Sequence, residues 1–101
     1  MKQSMISYKT KQESADENEA LVAAVFEQLN AASPEGIRYL VLRLADGAFV
    51  HLVKVDPTGE IEGLTKLDAF ASFQNRASDR YLEAPQSSEA KIVGNYRMLL
   101  E

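Results

Sequence analysis

Between Gly36 and Asp56 the chain reads GIRYLVLRLADGAFVHLVKVD, two runs of β-branched, aromatic and aliphatic residues on either side of Asp46-Gly47. That dipeptide suits a two-residue type I′ turn, in which both central residues take positive φ, and the stretch is predicted to be a β-hairpin. A two-residue turn pairs Leu44 with Phe49, Leu42 with His51 and Leu40 with Val53. One face then carries Leu40, Leu42, Leu44, Phe49, His51 and Val53, and the other Tyr39, Val41, Arg43, Val50, Leu52 and Lys54. A sheet with one face in water alternates apolar and polar residues. Here the second face is about half apolar, and burying each large aliphatic chain is worth roughly 1.5–3 kcal/mol. A subunit partner is the simplest cover for it.

The same patterning organises the rest of the chain. From Met5 to Lys11, Ile6, Tyr8 and Thr10 alternate with Ser7, Lys9 and Lys11, the pattern of a half-buried strand. Ser14-Ala15-Asp16-Glu17 has capping-box spacing, with acids at the positive end of the helix dipole. Leu21, Val22, Val25, Phe26 and Leu29 then form a helical stripe, and Pro34 and Gly36 stop it. Asp56-Pro57-Thr58-Gly59 reads as a turn, and 60–64 as a loop with little core content. A second helix is predicted over 67–82, with Thr65 as N-cap, a stripe of Phe70, Phe73, Ala77 and Tyr81, and Arg76 and Arg80 at its negative end. Pro85 closes it, and 90–100 reads as a last strand.

The order is β-α-β-β-α-β, so a single ferredoxin-like α+β domain over 1–101 is expected: a four-stranded antiparallel sheet with two helices on one face. At 101 residues the chain suffices for one core. A net charge of −4 with no basic block disfavours nucleic acid and anionic membranes as partners. There is no Cys, hence no disulfide and no thiolate chemistry. With neither a signal-like N-terminus nor an apolar run long enough for a span, a soluble cytoplasmic protein is expected.

Candidate chemistry centres on His51, the single histidine. On an apolar face it reads as a general base or proton shuttle with a pKa lowered by burial, or more plainly as a core histidine bonded to a neighbour. Tyr8, Tyr39, Asn95 and Tyr96 could hydrogen-bond a ligand carbonyl or a developing oxyanion; tyrosines also serve as amphipathic core residues. Arg38, Arg43 and Arg97 could hold an anionic substrate, or pair with acids. One His and scattered carboxylates make no metal ligand set, and no cofactor is indicated. Gly59–Lys66 lacks the ending of a phosphate loop and carries two acids. The RNA-recognition motif shares the element order, but aligning 48–52 with its third strand leaves Phe49 as the only aromatic.

The element order, the run Val41–Leu52, Phe70-Ala71-Ser72-Phe73 and Val93-Gly94-Asn95-Tyr96-Arg97 together resemble the dimeric α/β-barrel superfamily, which includes antibiotic-biosynthesis monooxygenase-like domains. The resemblance implies two open sheets packed face to face in a homodimer, with a small-molecule pocket between sheet and helices. It implies a cofactor-independent monooxygenase-like activity on a small aromatic or enolisable molecule, with His51 as the base that forms a carbanion for reaction with O2. The chain has no Trp, a residue that some of those active sites use. A non-enzymatic small-molecule-binding domain and a structural dimerisation module are the alternatives.

Overall fold

The computed structural model describes residues 3–99. Strand β1 (Gln3–Thr10) leads through a single 3-10 turn (Gln12–Ser14) into helix α1 (Ala15–Ala32). The hairpin strands β2 (Ile37–Arg43) and β3 (Ala48–Val55) follow, then the short helices α2 (Glu62–Thr65) and α3 (Asp68–Gln74). A second 3-10 turn (Ala77–Arg80) runs into strand β4 (Tyr81–Ala90). The four strands form one antiparallel sheet in the order β2-β3-β1-β4, the ferredoxin-like arrangement, with the helices on one face. Tyr8 and Phe49 meet Val22 and Val25 of α1, Leu64 of α2, and Ala69 and Phe73 of α3 in the core.

The expected stripe of α1 is present: Val22 and Val25 are buried, and Leu21, Phe26 and Leu29 pack against the same core. The capping box is not. Ser14 has helical dihedrals and donates its N–H to the Lys11 carbonyl at 2.9 Å, closing the preceding 3-10 turn, and its side chain makes no cap bond. The helix ends at Ser33, whose left-handed backbone (φ 48°) returns its N–H to Leu29 at 2.8 Å.

The hairpin forms, but its register differs by one residue. Arg43 pairs with Phe49, Val41 with His51 and Tyr39 with Val53. The connection is a three-residue loop, Ala45-Asp46-Gly47, in which Gly47 alone takes positive φ (+89°) and donates to the Leu44 carbonyl at 3.2 Å. This is a turn closed by a glycine bulge rather than the two-residue type I′ turn. Because side chains alternate with period two, the slip moves β2's whole set to the other face. His51 shares its face with Tyr39, Val41 and Arg43, and Leu40 and Leu42 point away from the helices beside Val50, Leu52 and Met5. Gly47 also receives the Thr10 N–H (3.0 Å) and hydroxyl (3.1 Å) on its carbonyl. Gly47→Ala forces an L-residue into this left-handed position and is expected to cost about 1–2 kcal/mol in urea unfolding.

The C-terminal third departs most from expectation. The second helix stops at Gln74 because Asn75 is extended and Arg76 is left-handed (φ 56°). The segment read as a loop at 60–64 holds the first three residues of α2, and its Leu64 is a core residue. The last strand lies at Tyr81–Ala90 rather than 90–100. Pro85 sits inside it, in an irregularity of the β1–β4 pairing between Ser7 and Lys9 on the sheet's edge, where a missing N–H is tolerated. Residues 91–99 form no strand, and Leu100 lies outside the described residues. No helix among the described residues is long and apolar enough to cross a membrane.

Candidate functional site

β1 points Tyr8 inward, β2 points Tyr39 inward, and β3 places His51 between them. His51 is 4% exposed. Its Nε2 lies 2.8 Å from the Tyr8 hydroxyl and its Nδ1 2.7 Å from the Tyr39 hydroxyl. The chain of bonds continues: Asn18 Nδ2 donates to Tyr8 Oη at 2.8 Å, and Arg80 Nε donates to Asn18 Oδ1 at 3.0 Å. Arg80 also donates through Nη2 to the Phe73 carbonyl at 2.7 Å, with its guanidinium over the Phe73 ring. Asn18 is fully buried and Arg80 is 5% exposed.

Chemistry orients the whole series from one end. A guanidinium only donates, so it must face the amide oxygen of Asn18, which leaves the NH2 for Tyr8. Tyr8 accepts that bond, so its own proton is directed at His51 Nε2. His51 is then the neutral tautomer with its proton on Nδ1, donating to Tyr39. The hydroxyl proton of Tyr39 has no acceptor among the described residues, and this half-buried residue is the most exposed member of the series.

The electrostatics agree with this assignment. Burial pushes the His51 pKa down to about 4, so the ring is neutral at pH 7. Burial pushes the Tyr8 phenol up to about 12, opposed by the Asn18 bond and the Arg80 charge and assisted by the nearby Tyr81. Burial likewise raises Tyr39 well above the usual phenol range. An imidazole whose conjugate acid has a pKa near 4 is a weak base. At pH 7 the ring carries its Nδ1 proton alone.

Three of the five sequence candidates therefore come together: His51, Tyr8 and Tyr39. Asn95 and Tyr96 do not join them. They lie after β4, where Asn95 bonds to the backbone of Met98 and Leu99 and Tyr96 is 79% exposed under Arg97. Arg43 pairs with Asp16 and Glu19 on α1, and Arg38 with Asp56. Among the described residues no cluster of three His, Cys, Asp or Glu side chains is placed to hold a metal.

Asn18 and Arg80 were missed by sequence reasoning. Asn18 falls at i, i+4 and i+7 with Val22 and Val25, a polar residue on an apolar stripe, and that spacing was the available signal. Its neighbours Asp16, Glu17 and Glu19 made it look like part of an acidic helix start. Arg80 read as a helix-end cation, and no sequence signal marks it as buried.

Two cavities accompany the site. One of about 670 Å³ lies along the β2–β3 hairpin, lined by Leu40, Leu52 and Lys54, by Tyr39, and by Ile92 and Leu99 from the segment after β4. The other, about 370 Å³, lies between α1 and the end of α3, with Arg80 in its wall. Neither is lined by His51 or Tyr8.

Fold and site together define an α+β domain of the ferredoxin-like kind with a buried phenol–imidazole–phenol series under its sheet. Many of the solved structures to which the chain is similar are described as antibiotic-biosynthesis monooxygenases, established or putative, and the chain has their fold. A "putative antibiotic biosynthesis monooxygenase" from Nitrosomonas europaea is similar at a TM-score of 0.72 with 12% identity, over 91% of this chain and 89% of that one. A second protein, described as an antibiotic biosynthesis monooxygenase, is similar at 0.66 with 14% identity, over 93% and 100%. A conserved protein from Methanosarcina mazei Go1 is similar at 0.70 with 15% identity, over 89% and 90%. No family model and no curated protein matches the sequence. At these identities the likeness is one of fold.

Proposed function

We propose that this chain handles a small aromatic or enolisable carbonyl compound, with Tyr39 as the hydrogen-bond donor to the ligand oxygen, in the manner of a cofactor-independent monooxygenase. The observation that carries the reading is the buried series Arg80–Asn18–Tyr8–His51–Tyr39. Burying a guanidinium and four polar groups is costly unless every partner is placed, and an apolar core would hold the fold equally well. The direction of the series suits a site where negative charge develops on a ligand oxygen. As Tyr39 gives up its proton, the Nδ1 proton follows to Tyr39 and the Tyr8 proton to Nε2. The charge then rests on Tyr8 beside Asn18 and Arg80.

In the reaction so assisted, a methylene flanked by aromatic or carbonyl groups loses a proton to solvent water, giving an enolate whose oxygen accepts the Tyr39 hydrogen bond. Its carbon is oxidised by O2, which is reduced to a hydroperoxide on taking up a proton, and loss of water leaves the ketone. His51 is the group through which protons pass, in place of the free base expected from the sequence. The test is oxygen uptake with a hydroxylated anthrone. Tyr39→Phe is expected to lower turnover about 100-fold, the usual effect of removing one oxyanion donor. His51→Ala with unchanged turnover removes His51 from the mechanism.

A second reading, ligand binding without turnover, draws on the closed packing around His51, which lines neither cavity. It predicts ligand-induced thermal stabilisation with no oxygen uptake.

We also propose a homodimer through the outer sheet face. The observed register makes that face more apolar than the sequence implied: Met5, Leu40, Leu42, Val50 and Leu52 share it, and Leu42 is 48% exposed. Light scattering at micromolar concentration is expected to give twice the chain mass, and Leu42→Asp to give a monomer. A wild-type monomer overturns the dimer.

A further inference from the structure

We infer that Arg80 anchors a second site, for a small oxyanion such as a carboxylate or phosphate, in the 370 Å³ cavity between α1 and the end of α3. Arg80 is 5% exposed, yet among the described residues no carboxylate lies within ion-pair distance of it. A buried charge without a counter-charge is strongly disfavoured. Of its five N–H donors, two are used, Nε on Asn18 and one from Nη2 on the Phe73 carbonyl. No buried side-chain nitrogen or oxygen among the described residues lacks a partner. Nη1, which has no protein acceptor, must therefore reach the surface, and Arg80 meets the surface at this cavity.

Because Phe73 covers a face of the guanidinium, the edge is what remains to bind, the geometry suited to a planar or tetrahedral oxyanion. Ser14, Ser72 and Asn75 add hydroxyl and amide donors around the cavity. Two acids also line it. Asp79 is held by Arg76 at 3.0 Å, and Glu17 is exposed on α1 with room to turn into solvent. The cavity lies on the helix side of the sheet, away from the proposed dimer face, and is distinct from the Tyr39 end of the series.

The experiment uses the full-length chain labelled with 15N and follows the Arg80 Nε–Hε signal. Sodium acetate and inorganic phosphate are titrated separately against sodium chloride at fixed ionic strength. A saturable shift with acetate identifies a carboxylate site, and one with phosphate a phosphate site. Absence of saturation in both overturns the proposal. Ser72→Glu supplies a tethered carboxylate at the cavity wall; it is expected to shift the Arg80 signal unaided and to abolish the response to added anion. An undiminished response in that variant also overturns it. No oxygenation substrate is involved, so failure here is distinguishable from failure of the oxygenase reading.

Discussion

Asn18→Ala is expected to destabilise the protein by about 3–5 kcal/mol, the range for stranding one member of a buried charged network. Among the described residues Asn18 alone hydrogen-bonds both Arg80 and Tyr8, and it is fully buried. Truncation leaves Nε of Arg80 without its acceptor and Tyr8 Oη without its donor, at a fully buried position. Urea unfolding at fixed protein concentration measures the loss, and a loss below about 1 kcal/mol, the size of an ordinary hydrogen-bond deletion, contradicts the account. Asn18→Asp separates the roles. A carboxylate still accepts from Arg80 but can no longer donate to Tyr8, so Tyr8 must turn its proton toward residue 18. His51 Nε2 then has to donate to Tyr8, and the ring proton moves from Nδ1 to Nε2. The 15N shifts of the imidazole report this directly, and an unmoved proton refutes the assigned direction of the series.

The network also shows where the sequence was legible. Alternation placed Ile6, Tyr8 and Thr10 on one face, and the 3.6 period found the stripe of α1, because both follow from backbone geometry alone. The β-hairpin was evident, but its register was not. Asp46-Gly47 is compatible with a two-residue turn or with a three-residue loop ending in a glycine bulge, and a difference of one residue decides which side chains face the helices. The sequence therefore set His51 among Leu40, Leu42 and Leu44, whereas in the fold it lies across from Tyr39 and Val41. The end of α3 was illegible for a different reason. Phe70, Phe73, Ala77 and Tyr81 keep helical spacing across a backbone that leaves the helix at Asn75 and Arg76. Ala77 and Tyr81 reach the core region from a 3-10 turn and a strand instead. Pro85 then looked like a terminator, when it marks an irregularity in an edge strand.

Between pH 7 and pH 4 the native state is expected to lose about 3 kcal/mol through His51 alone. Burial lowers its pKa from 6.5 to about 4 in the folded chain. The unfolded state therefore takes up a proton near pH 6.5 while the folded state does not until about pH 4. The stabilisation is complete above pH 6.5 and falls away as the pH drops toward 4. A difference of about 2.5 units at 1.36 kcal/mol each gives the stated size. The measurement is the difference between the wild type and His51→Gln, in which contributions common to both chains cancel. The amide can still donate to one phenol and accept from the other, but it does not titrate. Urea unfolding at pH 7, 6, 5 and 4.5 is expected to show a steeper decline for the wild type, with the gap opening below pH 6.5. The phenols act at the other extreme: Tyr8, raised to about 12, favours the folded state up to pH 10 and loses that contribution as the pH rises toward 12. Parallel curves for wild type and His51→Gln between pH 7 and 4.5 contradict a buried neutral imidazole. They would also remove the basis for a proton passing from Tyr8 through His51 to Tyr39, because that transfer requires a ring that is uncharged at rest.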